Sequence, residues 1–541
     1  MADDTSASDT NSHPSIDPSS FDLIVVGTGL PESIIAASAS SAGKSVLHLD
    51  PNPFYGSHFS SLSLASFSSF LHQRSRLYSH VEISSHSPQT LDEHSRRFSL
   101  DLSGPRLFFC ADPMVDLILR SGASNHLEFK SVDASFLYRE GHLSPVPDSR
   151  EGIFQDRTLG LTEKSQLMRF FKLVREHFAL DGSSGSTGGG SVDEERKRIP
   201  EEDLESPFVD FLQKQRLPPK IKAMILYAIA MVDYDQDSPD ICQKLTKTKD
   251  GMESLALYNS SVGRFPNALG AFIYPIYGQG ELPQSFCRCA AVKGALYVLR
   301  MPVTGLLLDE EHGHYKGVRL ASGQELFSHQ LVVDPSFVGP LLSFSSSELQ
   351  HEGLNPGDVT NASSPVKQVS RGVCIIRGSI QPELPNLLVV FPPRSLYDEQ
   401  ATSVRALQLG SNVAVCPSGL FVLYLSTLCD DAVQGKKSIH AAVNALCTIP
   451  VSENSEDISV VHEGVEVEPK PILLWSSMYV QELTKGSFGI VSSCPMPDGN
   501  IDYRDLLELT TKLFHKMYPQ EDFFPENTMP RNPEDDDGSL V

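Results

Sequence analysis

The sequence has few basic residues and lacks a long hydrophobic run. It contains 44 Lys and Arg against 68 Asp and Glu, which gives a net charge of −24 over 541 residues. This excess of negative charge argues against nucleic acid or an anionic membrane surface as the main partner. It suits a basic protein partner, or serves only to keep the chain soluble. The longest apolar run, at residues 223–232, is well short of the roughly 20 residues that a bilayer helix needs, so no transmembrane segment is predicted.

Regularly spaced cysteines and metal-binding motifs are also missing. The nine cysteines are an odd number without regular spacing, a pattern typical of reduced cytosolic thiols rather than of a disulfide framework. Cys287 and Cys289 form a C-x-C pair with no second pair or nearby histidine, which is poor zinc spacing. No P-loop, HExxH or GxSxG motif occurs. The N-terminus has neither the basic start nor the apolar core of a secretory signal, so we expect a cytoplasmic protein without a metal site.

Three segments have the composition of disordered or linking chain. Residues 1–20 lack the apolar content to pack. Residues 181–198, DGSSGSTGGGSVDEERKR, combine a glycine and serine run with a run of charge, which predicts a flexible insert between two helical segments. The tail, residues 525–541, is acidic and contains proline. We expect all three to lie outside the folded core.

The ordered part begins with a strand, a glycine turn, a helix and a second strand. FDLIVV predicts a buried parallel strand. GTGLPE follows, with Gly27 and Gly29 in the turn, and Leu30–Ser41 predicts a helix that has a proline in its first turn. SVLHLD predicts the next strand and ends in Asp50, where a dinucleotide site has its ribose-binding carboxylate. The pattern therefore predicts a β-α-β unit.

The same stretch is a weak cofactor motif. A G-x-G-x-x-G fingerprint has its third glycine where this chain has Glu32, and that glycine normally permits close packing of the helix on the strand. A carboxylate near the phosphates also adds like-charge repulsion, on the order of 4 kcal/mol for two unit charges about 4 Å apart at an effective dielectric of 20. Two interpretations stay open at this point. One is flavin or nicotinamide binding; the other is a frame kept for its packing, with Gly27, Gly29 and Asp50 as remnants of a cofactor site.

Two longer segments, together with this stretch, resemble a known family. They are DPNPFYGSHFSSL at residues 50–62 and IYPIYGQGELPQSFCRCAAVKGALYVLRMPV at residues 273–303. From about residue 21 to 337 the chain resembles the family of Rab GDP-dissociation inhibitors and Rab escort proteins, and residues 96–147 support the resemblance. GTGLPES, FCR, the chain length and the Gly/Ser insert are more similar to the escort branch than to the inhibitors.

The resemblance implies an α/β (α+β) fold without a bound cofactor. A FAD/NAD(P)-binding-like multi-sheet domain is expected in two parts, at residues 21–148 and 251–524. A smaller all-helical domain is expected between them, at residues 149–250.

The resemblance further implies a function without bond chemistry. Escort proteins bind unprenylated Rab GTPases in their GDP form and present the Rab C-terminal cysteines to the α and β subunits of Rab geranylgeranyltransferase. They then deliver the geranylgeranylated Rab to membranes. On this interpretation the chain is a non-catalytic accessory subunit. Two alternatives stay open: an inhibitor that recycles prenylated Rab, and an FAD-dependent oxidoreductase.

Three residues are candidates for contact with Rab. The segment ELPQSFCRCAAVKG predicts a helix with Pro283 in its first turn and Gly294 beyond its end. Glu281 and Arg288 are seven residues apart, so they share one helix face and lie about 10 Å apart along the axis. The resemblance places Tyr55, Glu281 and Arg288 in a Rab-binding platform. The alternatives are a solvated helix face and, for Tyr55, packing in a turn.

The helical part contains the second candidate region. Residues 161–178 predict an amphipathic helix. Residues 220–232 are apolar nearly all round, which predicts burial on most sides or a groove for something apolar. The resemblance assigns this part to transferase docking and to shelter of the geranylgeranyl group, with Met224, Tyr227 and Met231 on the transferase- or lipid-facing helix. Met224 stands where animal escort proteins have an aromatic transferase contact, and core packing remains the alternative for the whole helix.

Overall fold

The computed structural model describes most of the chain. The described residues are 15–72, 77–147, 150–181, 199–237, 244–309, 314–338, 341, 367–450, 470–483 and 491–525. Residues 1–14, the predicted insert after Asp181 and the predicted tail after Pro525 lie outside them. Ile16 falls within the segment predicted to be disordered but is buried, and its backbone N–H and C=O bond to the Gln324 side chain over 2.9 and 2.7 Å. The predicted disorder therefore does not extend to Ile16.

The N-terminal β-α-β unit forms as predicted. Strand Ser20–Val26 leads through the glycine turn, residues 27–29, into helix Leu30–Ser41, which has proline in its first turn. Strand Val46–Asp50 then pairs in parallel with Ser20–Val26. Both strands are almost entirely buried because the sheet is covered on its two faces.

The first sheet has seven strands and carries the glycine turn at its edge. In order across the sheet the strands are Leu296–Leu299, Val46–Asp50, Ser20–Val26, Glu325–Val333, Tyr315–Leu320 and Val303–Leu308, with Ser492–Ser493 also paired to Glu325–Val333. Ser20–Val26 is parallel to both of its neighbours. Because parallel strands end at the same edge, the residues that follow them, Gly27, Pro51 and Asp334, meet there.

The second sheet has eight strands and is mostly antiparallel. Its order is Tyr78–Ser85, Ile472–Glu482, Gln368–Arg377, Leu420–Cys429, Val404–Leu409, Leu387–Phe391, Ala134–Arg139 and His142–Pro145. Two small sheets contain the other strands of the described residues: Phe108–Phe109, Phe272–Pro275 and Phe129–Ser131 form one, and Ser61–Leu62 with Leu100–Asp101 form the other.

Helices of 4 to 21 residues follow one another between residues 150 and 261. They are Arg150–Gln155, Leu161–Asp181, Glu201–Leu204, Phe208–Lys214, Pro219–Ala223 and Thr248–Ser261, and the π-helix Met224–Ile229 continues Pro219–Ala223. In Leu161–Asp181 the side chains of Leu167, Phe170 and Val174 are buried, as the amphipathic pattern predicts. Among the described residues, no helix combines the length and the hydrophobicity needed to cross a bilayer.

The remaining helices pack against the sheets or against other helices. The α-helices are Leu64–His72, Pro88–His94, Pro113–Ser121, Glu281–Val292, Ala432–Leu446 and Arg504–Met517, and the 3-10 turns are Ser57–Phe59, Ser95–Arg97, Ala123–His126 and Ser411–Val413. Helix Glu281–Val292, named the platform helix below, packs closely on Leu30–Ser41.

Candidate functional site

The glycine turn is in close contact with protein side chains. Gly27 has φ +99°, and a Cβ built on it would lie 2.5 Å from Cβ of Asp334. A Cβ built on Gly29 would collide with Oε2 of Glu32. Gly27 is therefore required by its backbone conformation and by the packing of the chain itself, whereas a side chain at Gly29 would require the Glu32 carboxyl to move.

Glu32 is the residue that replaces the third glycine of the fingerprint, and its side chain is buried. Burial raises the pKa of its carboxyl well above the ordinary value, and the negative charges of Asp334 and Asp50 raise it further. A hydrogen bond with the Cys494 thiol acts in the opposite direction. The carboxyl folds back against Gly29 of the glycine turn, and its burial there favours the protonated form.

Asp50 does not present a free carboxylate to a ribose. Its Oδ2 accepts hydrogen bonds from the Thr28 N–H at 2.8 Å and the Thr28 hydroxyl at 2.6 Å, and its Oδ1 accepts from the Asn52 N–H at 2.7 Å. Burial raises the pKa of Asp50 to about 6 in spite of these bonds. Both carboxylate oxygens are used in fixing the loop that follows the strand.

Asp334 is the third carboxyl group beside the glycine turn. Its Oδ2 accepts from the Ser57 hydroxyl at 2.6 Å, and Oδ1 lies 3.3 Å from Nε2 of His58. Burial alone would raise the pKa of Asp334, but His58, Ser57 and the Ser336 N–H outweigh it and lower the pKa to about 2. This carboxylate is ionised, and its partners Ser57 and His58 belong to the segment that follows Tyr55.

These residues do not fit the pyrophosphate of a dinucleotide cofactor. Glu32, Asp50 and Asp334 are all buried around the glycine turn, at the place where a Rossmann-type site binds phosphate. A phosphate there would meet three carboxyl groups, and the basic side chain beside them, His58, already lies against Asp334. This arrangement agrees with the second interpretation of the sequence, in which the β-α-β unit is kept for its packing.

Tyr55 lies in a loop that the glycine turn holds in place. The N–H of Gly56 donates to Oγ1 of Thr28 at 3.0 Å and to its backbone carbonyl at 3.1 Å. The Tyr55 ring is half-buried, with its centroid 6.2 Å from that of Tyr297. The Tyr297 hydroxyl lies against the Cys287 thiol of the platform helix. The structure thus brings Tyr55 beside the residue that precedes Arg288.

A buried aspartate fixes the start of the platform helix. Oδ1 of Asp101 accepts from the Gln279 N–H at 3.0 Å and from the Ser61 hydroxyl at 2.6 Å, while Ser61 Oγ accepts from the Gly280 N–H at 2.8 Å. Burial raises the pKa of Asp101 to about 6, and these hydrogen bonds act against that rise. Because Ser61 follows Tyr55 by six residues, the Tyr55 segment and the first turn of the platform helix form one hydrogen-bonded unit.

Close packing permits only glycine next to this unit. Gly278 has φ +106°, and a Cβ on it would lie 2.5 Å from Ser61 Oγ. A Cβ on Gly280 would lie 2.7 Å from the Ser61 N. The YGQGE stretch therefore owes both glycines to the close approach of Ser61.

Glu281 and Arg288 lie on the platform helix as the spacing predicts. Arg288 is exposed and Glu281 is half-buried. Burial raises the pKa of Glu281, and the charge of Arg288 acts against the rise. The two groups therefore interact electrostatically along the helix face. The sequence did not identify Thr28, Ser61, Asp101 or Asp334 as supports of these residues, because their partners lie far away along the chain.

The structure buries the three residues predicted to face the transferase or lipid. Met224 is wholly buried, and Tyr227 and Met231 are 4% and 9% exposed. The Tyr227 hydroxyl accepts from the Gln236 N–H at 3.2 Å, and the Met231 carbonyl accepts from the Arg405 guanidinium. Of the two outcomes predicted for this apolar segment, burial on most sides is the one found, and in this conformation none of the three is a surface contact.

Comparisons with known proteins agree over nearly the whole chain. A family model described as GDP dissociation inhibitor matches residues 17–481. Rab escort protein 1 of Arabidopsis thaliana is 54% identical, covering 98% of this chain and 98% of that protein. Rab proteins geranylgeranyltransferase component A of Drosophila melanogaster is 28% identical, covering 94% and 90%. The crystal structure of a Rab GDI from Plasmodium falciparum has a TM-score of 0.66 at 17% identity, covering 93% and 99%, which confirms the predicted α/β fold with its helical part. The chain belongs to the GDP dissociation inhibitor family.

Proposed function

We propose that the chain binds unprenylated, GDP-bound Rab GTPases, presents their C-terminal cysteines to the αβ Rab geranylgeranyltransferase and delivers the prenylated Rab to membranes. It performs no catalysis and is an accessory subunit of the transferase. The observation that carries this proposal is the relation to the Arabidopsis thaliana Rab escort protein 1, which extends over 98% of both chains. The second relative, a geranylgeranyltransferase component A, supports the link to the transferase.

The Rab contact is assigned to Tyr55, Glu281 and Arg288. Arg288 offers an exposed guanidinium, and Glu281 offers a carboxylate that its surroundings partly desolvate. Interface hot spots combine aromatic and arginine side chains on a rigid support. The support is the hydrogen-bonded unit in which Ser61 joins the Tyr55 segment to the platform helix, so little ordering cost would remain for binding.

Transferase docking and lipid shelter are assigned to the helical domain, residues 149–250, which separates the two parts of the larger domain at 21–148 and 251–524. Met224, Tyr227 and Met231 belong to its core in the described conformation. Their part in either task is therefore indirect: they support the helices that carry the contact, or become accessible when those helices separate. The chain acts in the cytosol and meets membranes transiently.

The decisive experiment is reconstitution of Rab geranylgeranylation from purified α and β subunits, with and without this chain. Transfer of the lipid to Rab should depend on the added chain and should fall when Arg288 is replaced by Ala. Equal transfer in its absence would remove the escort proposal. The alternative, an inhibitor that only recycles prenylated Rab, would extract prenylated Rab from vesicles without supporting the transferase, so a parallel extraction assay separates the two.

A further inference from the structure

A pocket of about 470 Å³ lies in the helical part of the chain. One wall is the helix Leu161–Asp181, and the other is the turn that follows the helix Phe208–Lys214. Phe170 and Leu217 are buried beneath it. Its volume is within the range of small-ligand sites. It lies within the helical domain to which transferase docking is assigned above, but Met224, Tyr227 and Met231 do not line it.

The pocket is basic although the chain as a whole is acidic. Arg169, Lys172, Lys214 and Arg216 line it together with a single acidic residue, Glu176. Four of the 44 basic residues of a chain with net charge −24 thus converge on one small concavity. An anion that the rest of the surface repels would be attracted here.

Two of the four basic side chains remain available to a ligand. Lys172 lies 3.7 Å from Glu176, and Lys214 lies 2.5 Å from Asp203. Within the described part of the chain, Arg169 and Arg216 form no ion pair, and both are exposed. Guanidinium groups bind phosphate oxygens in a bidentate manner, which distinguishes them from the ammonium groups beside them.

Arg216 occupies a backbone conformation that favours glycine. It ends the helix Phe208–Lys214 in the left-handed region, with φ +54° and its N–H bonded to the Gln213 carbonyl at 2.9 Å. Gln166, which also lines the pocket, donates from Nε2 to the Arg216 carbonyl at 3.1 Å. The strained turn is therefore held from across the pocket and places a guanidinium at its rim, an arrangement typical of functional sites.

We propose that this pocket binds a multiply charged phosphate anion, either the headgroup of a phosphorylated lipid or a soluble polyphosphate. The site is bounded by one helix and one turn, without the extended groove and backbone partners that an acidic peptide would use. Its charge suits a phosphate monoester, which carries about −1.5 to −2 at pH 7, more than a single carboxylate does.

The test uses the full-length chain with two probes. Inositol trisphosphate, followed by calorimetric titration, represents the soluble source. Phosphatidylcholine vesicles that contain phosphatidylinositol bisphosphate represent the lipid source. The control vesicles contain phosphatidylserine instead, in the amount that gives the same net charge. We expect binding of at least one phosphorylated probe, weakening as salt rises, and about tenfold weaker binding for Arg169→Gln.

Matched variants separate the pocket from general charge. Arg175→Gln removes an exposed arginine of the same helix that does not line the pocket and should leave binding unchanged. Arg216→Gly removes the guanidinium but relieves the backbone strain and keeps the bond from Gln166, so binding should fall while the melting temperature stays equal or rises. A structural role alone would move the melting temperature downward.

Binding to vesicles alone identifies a lipid headgroup, and binding of inositol trisphosphate alone identifies a soluble anion; either supports the proposal. It is overturned if neither probe binds, if phosphatidylserine vesicles bind equally well, or if Arg175→Gln weakens binding as much as Arg169→Gln. It is also overturned if a peptide of residues 532–541, NPEDDDGSLV, displaces the phosphorylated probe at lower concentration than inositol trisphosphate does, because the occupant would then be the acidic segment of the chain.

Discussion

Thr28 donates to Asp50 twice: its hydroxyl lies 2.6 Å and its backbone N 2.8 Å from the same carboxylate oxygen. The Thr28 hydroxyl oxygen also accepts the N–H of Gly56, the residue after Tyr55, at 3.0 Å. In a cofactor site the turn would face phosphate and the carboxylate would face ribose. Here the turn and the carboxylate are hydrogen-bonded to each other, and these bonds fix the position of Tyr55.

The first prediction follows from the Thr28 hydroxyl. Thr28→Val should lower the free energy of unfolding by about 1–2 kcal/mol, because Asp50 and Gly56 each lose a buried partner. The affinity for GDP-bound Rab should fall about fivefold, since the Tyr55 loop loses about 1 kcal/mol of its support. Denaturant unfolding and calorimetric titration with Rab measure the two effects.

Thr510→Val is the matched control. Thr510 is also fully buried and donates one hydrogen bond, to the Leu506 carbonyl at 2.7 Å, but lies in the helix Arg504–Met517. The Thr510→Val variant should be less stable than the wild type but should bind Rab with the same affinity. If Thr28→Val behaves in the same way, Thr28 supports the fold and not the Tyr55 loop.

Arg288→Ala tests the platform directly. Because Arg288 is exposed, the variant should unfold within about 0.5 kcal/mol of the wild type. Loss of an interface arginine should weaken Rab binding by about 2 kcal/mol, roughly thirtyfold. Arg175→Ala, which removes an exposed arginine from another helix, should bind Rab normally. Unchanged affinity for Arg288→Ala would exclude this residue from the platform.

Local pattern was sufficient to predict the elements that carry these residues. FDLIVV, the glycine turn and SVLHLD lie within one β-α-β unit, so their pairing follows from adjacent sequence. The shared face of Glu281 and Arg288 follows from helical spacing alone. In both cases the information lies within about thirty residues of chain, where periodicity is reliable.

The supports of the site could not be predicted in this way. Asp334 bonds to Ser57 across 277 positions, and Gly280 bonds to Ser61 across 219. Such pairs depend on strand order, which one sequence does not specify. The sequence also could not decide between a groove and a core for Met224: a segment that is apolar all round is compatible with both, and only the packing of the neighbouring helices distinguishes them.

Gly278 and Gly294 provide a paired test of close packing. Both have positive φ, +106° and +96°, but a Cβ on Gly278 would meet Ser61 Oγ at 2.5 Å, whereas one on Gly294 would have no atom within 4 Å. Gly294→Ala should cost about 1–2 kcal/mol from backbone conformation. Gly278→Ala should cost about 1–3 kcal/mol more from overpacking and should also weaken Rab binding, because the turn before Glu281 must move. Equal losses of stability would contradict the contact with Ser61.

Glu32 predicts a pH dependence of stability. Burial raises its pKa above the ordinary value of 4.5 in the folded state, so folding favours the protonated form, and this contribution is complete below that value. Stability is then lost as pH rises from 4.5 through the folded-state pKa, about 1.4 kcal/mol for each unit between the two pKa values. Glu32→Gln removes the titration, so its stability relative to the wild type should be higher at about pH 8 than at about pH 5.

Asp334 and Asp50 face the same carboxyl, and both remain in the Glu32→Gln variant, so the difference between the two chains isolates Glu32. The exposed Glu253 provides the control variant Glu253→Gln, which should show the same stability difference at both pH values. A Glu32→Gln variant whose stability difference is also independent of pH would mean that Glu32 is ionised in the folded chain.

The final prediction concerns Met224, which is wholly buried at the start of the π-helix Met224–Ile229. Met224→Ala should cost about 2–5 kcal/mol, and Met224→Leu less than about 1.5 kcal/mol, as should the core control Met252→Leu in the helix Thr248–Ser261. Since the side chain is not at the surface, Met224→Leu should support Rab geranylgeranylation at the wild-type rate, with half-maximal activity at the same transferase concentration. A Met224→Leu chain that melts like the Met252→Leu control yet needs much more transferase would place Met224 in the docking contact, and would require the helical part to open when the transferase binds.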